Sequence, residues 1–378
     1  NDGWLPCRLV SFDGSFRDER VGPPGAGCTY VAWSPDQKWM YFSSSERGRF
    51  HIWRQRFPAG EPQQLTSGAT EEEGIAVAPD GRSLITSVGL RESTIWVRDR
   101  NGERQASLEG FAEYPTFSPD GKQLFYLVRL RGVSGQWVRG QLWAVDLASG
   151  RRRRLLSGTR VSGYDISPDG TAVVYSVTDK GDRARLWLAS LDFRFPPREF
   201  PSAVNEDEPL WDESKHIYFR AAEGKLNFLY RMNEDGGGRM KVSENPVLEV
   251  FSVDPKGRWA TVFEALGRGP TAHVFAVPLG GGAPVLLCAT FCVPTWSADD
   301  KTVAVLNLTL TKTYVLPVDP ARGLPDAAPG DIPAAVEARK APGSTVIAGI
   351  VIPVPTAELL AMERQDVLCY RYRLVLQS

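Results

Sequence analysis

The chain has 378 residues, a formal net charge of −1, 42% hydrophobic and 24% charged residues. That length exceeds what one hydrophobic core usually fills, yet no composition break divides it. A charge so close to zero gives no basis for a nucleic-acid or anionic-membrane partner, and no apolar run of about 20 residues is present to span a bilayer.

Taken in order, Leu5–Phe12 and Phe16–Val21 read as the third and fourth strands of a four-stranded unit. The sequence therefore begins in mid-repeat, as a piece of a longer protein would. Turn motifs follow at Ser34-Pro35-Asp36, Ala78-Pro79-Asp80-Gly81, Ser118-Pro119-Asp120-Gly121, Ser167-Pro168-Asp169-Gly170, Asp254-Pro255-Lys256-Gly257 and Ser297-Ala298-Asp299. Trp211-Asp212-Glu213-Ser214 is a degraded copy, and Val354-Pro355-Thr356 an eighth. Proline presets one turn angle, Asp bonds the backbone two residues on, and Gly tolerates positive φ. The step is about 40–50 residues, with one of 57 before the last. A second array keeps the same step: Trp53, Trp96, Trp143, Trp187, Tyr230, Phe275, Tyr314 and Tyr372 each lie in a short β-type run.

Two signals in phase at this period predict an all-β fold, a β-propeller of four-stranded antiparallel blades. One such sheet cannot hide both faces and must stack on its neighbours. Eight inner-strand copies favour eight blades, with seven the alternative if the last copy is only a clasp. Residues 1–378 form a single domain on this reading. Residues 1–21 supply outer strands of the closing blade, 319–342 are an insertion loop with a short helix, and 344–378 form the last repeat. In the second repeat the expected strands are Gly74–Ala78, Ser83–Val88, Thr94–Asp99 and Arg104–Leu108. Of the five cysteines, Cys288 and Cys292 are expected as buried thiols, and Cys7 could meet Cys369 where the ring closes.

The first strand of each blade lies nearest the axis and starts at one channel mouth. Six residues before each proline-equivalent position stand Thr29, Glu73, Glu113, Ser162, Asp207, Glu249, Cys292 and Gly349. Glu71, Glu72, Glu206 and Glu208 flank these, and Asp165 lies three residues from its proline. Converging carboxylates repel unless a cation neutralises them. An acidic mouth is therefore expected, with Glu73, Glu113, Asp207 and Glu249 as candidate ligands for a divalent cation such as Ca²⁺, Mg²⁺, Mn²⁺ or Zn²⁺. His51, His216 and His273 map to second or third strands, which argues against a histidine metal centre or nucleophile relay. No phosphate loop, dinucleotide fingerprint or Gly-x-Ser-x-Gly elbow is present.

The wording Phe117-Ser-Pro-Asp-Gly-Lys122 and Tyr164-Asp-Ile-Ser-Pro-Asp-Gly170 resembles the TolB-like or WD-like propeller repeats of bacteria. Ala32–Ser44, Phe50–Phe57 and Thr70–Arg82 are similar to the propeller attached to bacterial transmembrane serine/threonine protein kinases. That resemblance implies an extracytoplasmic or periplasmic sensor or interaction module; every kinase motif is missing, so no catalytic residue carries over. The expected function is binding of a protein, peptide or small-molecule ligand at the channel mouth. The alternative is a metal-dependent hydrolase of phosphate or carboxylic esters, and a propeller-type polysaccharide lyase is a third, weaker reading.

Overall fold

The computed structural model describes residues 5–11, 19–45, 49–68, 70–99, 102–109, 111–129, 140–179, 183–265, 272–307, 312–327, 329–338, 343–348, 350–353 and 360–375. The architecture is an all-β propeller, and its described residues fall into two compact units. The first holds residues 5–93 and 365–375, the second 94–129 and 140–364.

In the first unit, Cys7–Leu9 pairs with Glu19–Val21, in keeping with the two terminal strands expected there. Sheet I follows, in the order Gly27–Trp33, Trp39–Ser45, His51–Arg56, Gln63–Gln64. Glu71–Val77 opens sheet II and pairs with the first half of Ser83–Asp99. That segment is one strand of 17 residues rather than the two expected, because Gly89–Ser93 carries no proline or Asn/Asp-Gly turn to break it. Its last residues, in the second unit, pair with Gly102–Gln105.

The second unit repeats one pattern. Sheet III is Ala112–Phe117, Gln123–Arg129, Gly140–Asp146, Arg152–Arg154. Sheet IV is Val161–Ile166, Ala172–Thr178, Ala184–Ser190, Arg198–Glu199, joined to sheet III by the pairing of Gly140 with Val161. Sheet V is Glu206–Trp211, His216–Glu223, Leu226–Asn233, Met240–Lys241. Sheet VI is Val247–Val253, Trp259–Ala265, Ala272–Pro278, Val285–Cys288. Sheet VII is Val293–Trp296, Thr302–Asn307, Lys312–Pro317, Thr345–Ala348. Thr345–Ala348 thus completes sheet VII, although the sequence suggested that it opens the last repeat. The 319–342 insertion lies inside this sheet, and its helix Ile332–Glu337 buries Ile332 and Val336 in the core between sheets VI and VII. The eighth turn, 354–356, and Gly349 lie outside the described residues, while Ile350–Pro353 pairs with the start of Leu360–Val375.

The turns show why the repeat wording is so constant. Ser118 Oγ donates to Asp120 (2.6 Å) and accepts the Gln123 N–H (2.9 Å), while Asp120 accepts the Lys122 N–H (3.1 Å). Ser34, Ser167 and Ser297 make the same latch. Two residues after each proline-equivalent position the backbone is left-handed, at Gly81, Gly121, Gly170 and Gly257. Gln37, Lys215 and Asp300 adopt it too, so the degraded copy is a true repeat whose fold overrides residue preference. Trp53, Trp143, Trp187, Tyr230, Phe275 and Tyr314 each face a second-strand residue, an aromatic one in Phe42↔Trp53, Tyr126↔Trp143, Tyr175↔Trp187 and Phe219↔Tyr230. Cross-strand neighbours of this kind stabilise a sheet, and the cores they enter lie between adjacent sheets.

The cysteines differ from expectation. Cys7 is bonded to Cys28 and Cys288 to Cys292. Cys28 lies on the inner strand of sheet I beside the terminal hairpin, and Cys292 follows directly on the outer strand of sheet VI. Strand proximity therefore chose partners that spacing left open.

Candidate ligand site at the leading end of the inner strands

The inner strands are not regular. Their pairing slips between Cys28 and Tyr30, Glu73 and Ile75, Glu113 and Thr116, Val161 and Gly163, Asp207 and Leu210, and Val247 and Glu249. A bulge inserts an unpaired residue and re-aims the side chains around it. The expected acids lie at these bulges. Gly74, Tyr114 and Glu208, five residues before their proline-equivalent positions, all have positive φ, of 74°, 56° and 51°.

In sheets V and VI three of these acids come together. Arg220, opposite Asp207 in the register, donates from Nε to Oδ1 and from Nη2 to Oδ2, both at 2.8 Å. Two parallel charge-assisted bonds of this kind add both energy and geometric specificity. Arg220 Nη2 also lies 3.3 Å from Glu208, and Nη1 donates to the Leu248 carbonyl in sheet VI. Glu208 accepts the Val250 N–H (2.8 Å), and Glu249 adds its charge to the same group. Burial pushes the Glu208 carboxyl up to about 8, with Arg220 pulling it down and Asp207 and Glu249 pushing it further up. Glu249 is raised by burial against the pull of Arg220. Burial works against the charge of Arg220, but the bonds to Asp207 and the charges of Glu208 and Glu249 hold it protonated.

The other candidates have separate surroundings. Glu113 is buried, and both of its oxygens accept from Arg129 Nη2, at 2.9 and 3.0 Å. Asp165 accepts the Trp211 N–H of the next inner strand at 2.8 Å, and burial raises its carboxyl to about 7. Glu206 is buried, raised by that burial, and pairs with Arg239, which lies over the Phe219 ring. In the first unit, Glu72 is buried and its oxygens take His51 Nδ1 (2.8 Å), Thr66 (2.7 Å) and Thr70 (2.9 Å). Glu71 and Glu73 flank it half-buried, and the Glu73 carbonyl accepts from Ser87 Oγ. Cys292 is consumed by its disulfide.

Among the described residues no three His, Cys, Asp or Glu side chains are placed to hold a metal ion. Asp207 and Glu249 share a neighbourhood, but the cation between them is a guanidinium. Sequence reasoning missed Arg220 and Arg129. The available signal was a basic residue after an apolar run in the second strand, in Ile217-Tyr-Phe-Arg220 and Leu124-Phe-Tyr-Leu-Val-Arg129, opposite an acid near the start of the inner strand. No helix of the described residues is long and apolar enough to cross a membrane.

Solved structures place the fold. A TolB-type protein from Agrobacterium tumefaciens matches with a TM-score of 0.53 at 16% identity, over 73% of this chain and 99% of that one. TolB from Acinetobacter baumannii follows at 0.46 and 14%, over 76% and 75%. An oligogalacturonate lyase from Vibrio parahaemolyticus matches at 0.44 and 13%, over 84% and 98%. No protein-family model and no curated protein sequence matches the chain. At these identities the likeness is one of fold: a TolB-like β-propeller.

Proposed function

With the TolB-like propeller fold as premise, we propose that this chain is a binding module whose inner-strand acids recognise a cationic group on a protein, peptide or small ligand. The observation that carries the reading is stoichiometric. Asp207, Glu208 and Glu249 surround a single guanidinium, Arg220. Two negative charges exceed what the arginine neutralises; burial holds Glu208 protonated up to about 8 and shifts Glu249 in the same direction. An arriving ammonium or guanidinium group takes the place of the Glu208 proton.

Calorimetric titration with 1,5-diaminopentane, run at pH 6 and pH 9 in two buffers, tests this. Glu208 is mostly protonated at the lower pH and ionised at the higher. Binding is expected to tighten by about tenfold or more with proton release, and the pH dependence is expected to vanish in Glu208→Gln. Affinity that stays flat with pH, or that survives Glu208→Gln combined with Glu249→Gln, removes the reading.

The metal-dependent hydrolase alternative has less support, because Arg220 occupies the centre of the carboxylate group. Chelator-sensitive hydrolysis of a chromogenic ester, lost in Glu249→Gln, reverses that order. An extracytoplasmic location gains support from the two disulfides, which persist in oxidising compartments. Alkylation and mass spectrometry of protein taken from the native compartment check it.

A further inference from the structure

At the other end of the strands, sheets IV and V enclose an open cleft of about 730 Å³. One wall is apolar, formed by Leu188 and by Phe195 and Pro196 of the loop that follows its strand. The facing wall comes from two turns of sheet V and presents Ser214, Lys215, His216, Asn233 and Glu234. The cleft thus sets a short apolar wall against a polar one, an arrangement that can seat an apolar group and orient it by hydrogen bonds.

The charged groups of the cleft are already engaged. Lys215 Nζ lies 2.5 Å from Asp169 and 3.9 Å from Glu234. Arg198, stacked 4.8 Å over Phe200, donates to the carbonyls of Glu234 (2.6 Å) and Asp235 (3.3 Å). Polar capacity remains on His216 and Asn233. His216 Nδ1 lies 2.9 Å from the buried Asp212 carboxylate, which also accepts the His216 N–H (2.9 Å) and the Tyr218 hydroxyl (3.1 Å). A carboxylate behind one ring nitrogen orients the imidazole and leaves Nε2 as an acceptor in the neutral ring. The exposed Asn233 amide carries both a donor and an acceptor. Together they match the N–H and C=O of a peptide group, not a free charge.

The loop that carries the apolar rim is closed by its own hydrogen bonds. Ser190 Oγ donates to Asp192 at 2.5 Å and accepts the Arg194 N–H at 3.0 Å, while Arg194 and Asp192 pair at 2.5 Å. Phe193, at the tip, is 85% exposed in a left-handed conformation with φ 63°. Phe193 and Phe195 thus place two exposed aromatic rings on the loop beside the cleft.

We propose that this cleft binds an extended peptide segment of a partner protein, seating a bulky apolar side chain against Leu188, Phe195 and Pro196 while His216 and Asn233 read its peptide group. This site lies apart from the acid group proposed above and stands or falls separately. The test uses ¹⁵N-histidine-labelled protein, whose three imidazoles give a sparse spectrum. N-acetyl-L-phenylalanine methylamide is expected to shift the signal that disappears in His216→Gln and to leave the other two in place. N-acetylglycine methylamide, lacking the side chain, is expected to bind about tenfold more weakly. Phe195→Asp, at an already exposed position, is expected to cost as much.

No shift overturns the proposal, as does an equal shift from the glycine compound or a shift unchanged in Phe195→Asp. A His216 signal that moves with protein concentration alone, and stops moving in Phe193→Ala, assigns the cleft to a second copy of the chain and overturns it equally.

Discussion

Glu113 and Asp207 hold the same place in sheets III and V, each just before the bulge of an inner strand. Each is paired to an arginine from the second strand of its own sheet. Arg129 serves Glu113 and is 43% exposed, whereas Arg220 serves Asp207, lies close to Glu208 and feels Glu249, and is 17% exposed. The strand position decides where a carboxylate stands. The ratio of acids to guanidinium groups, and the water around them, decides whether unbalanced charge is left for a ligand.

The largest effect expected from this difference is on stability. Arg220→Met strands three carboxylates in a partly buried site and is expected to cost about 3–5 kcal/mol. Arg129→Met leaves the one buried carboxylate of Glu113 without its partner and is expected to cost less, about 1–3 kcal/mol. Urea unfolding of both variants at pH 8 measures the gap, and equal losses would erase the distinction between the two sites.

A second test uses pH. Asp165 and Glu208 have folded-state values of about 7 and 8, above the ordinary 3.8 and 4.5. For an acid raised in this way the unfolded chain gives up its proton first. The contribution is therefore most favourable below about pH 4 and is lost as pH climbs through the folded-state value, at a rate of about 1.4 kcal/mol per pH step of one while only the unfolded chain is ionised. Melting at pH 5 and pH 8 is expected to show a smaller drop in Asp165→Asn and in Glu208→Gln than in the parent. A drop of the same size in all three proteins contradicts it.

The smallest effects concern the backbone and control for charge. Gln37, which is uncharged, takes the left-handed turn position that glycine fills in other repeats, so Gln37→Gly is expected to gain up to about 1 kcal/mol. Gly257→Ala is expected to lose about 1–2 kcal/mol, since its φ is 67° and a Cβ there would stand 2.8 Å from the Asp212 carboxylate. Thermal melts of the pair resolve the sign.

Much of the fold was legible because its signals are local. The Ser-Pro-Asp latch closes within six residues, and the aromatic opposite it in phase follows from the strand lengths on either side. The short helix in 319–342 was readable for the same reason. The long strand Ser83–Asp99 was less so, since a missing turn signal is weaker than a present one. Thr345–Ala348 falls on the other side of a repeat boundary from the one its sequence suggests, because the insertion before it hides its partner, Lys312–Pro317.

For the candidate site, the sequence by itself determined which acids open the inner strands and that they recur with the repeat. Periodicity is a property of one dimension, and spacing along the chain is enough to read it. Only the tertiary structure decided that Arg220 stands among Asp207, Glu208 and Glu249, that Arg129 answers Glu113, and that Cys7 meets Cys28. Those pairings depend on a bulged register and on stacking between neighbouring sheets, where a shift of one residue turns a side chain to the opposite face.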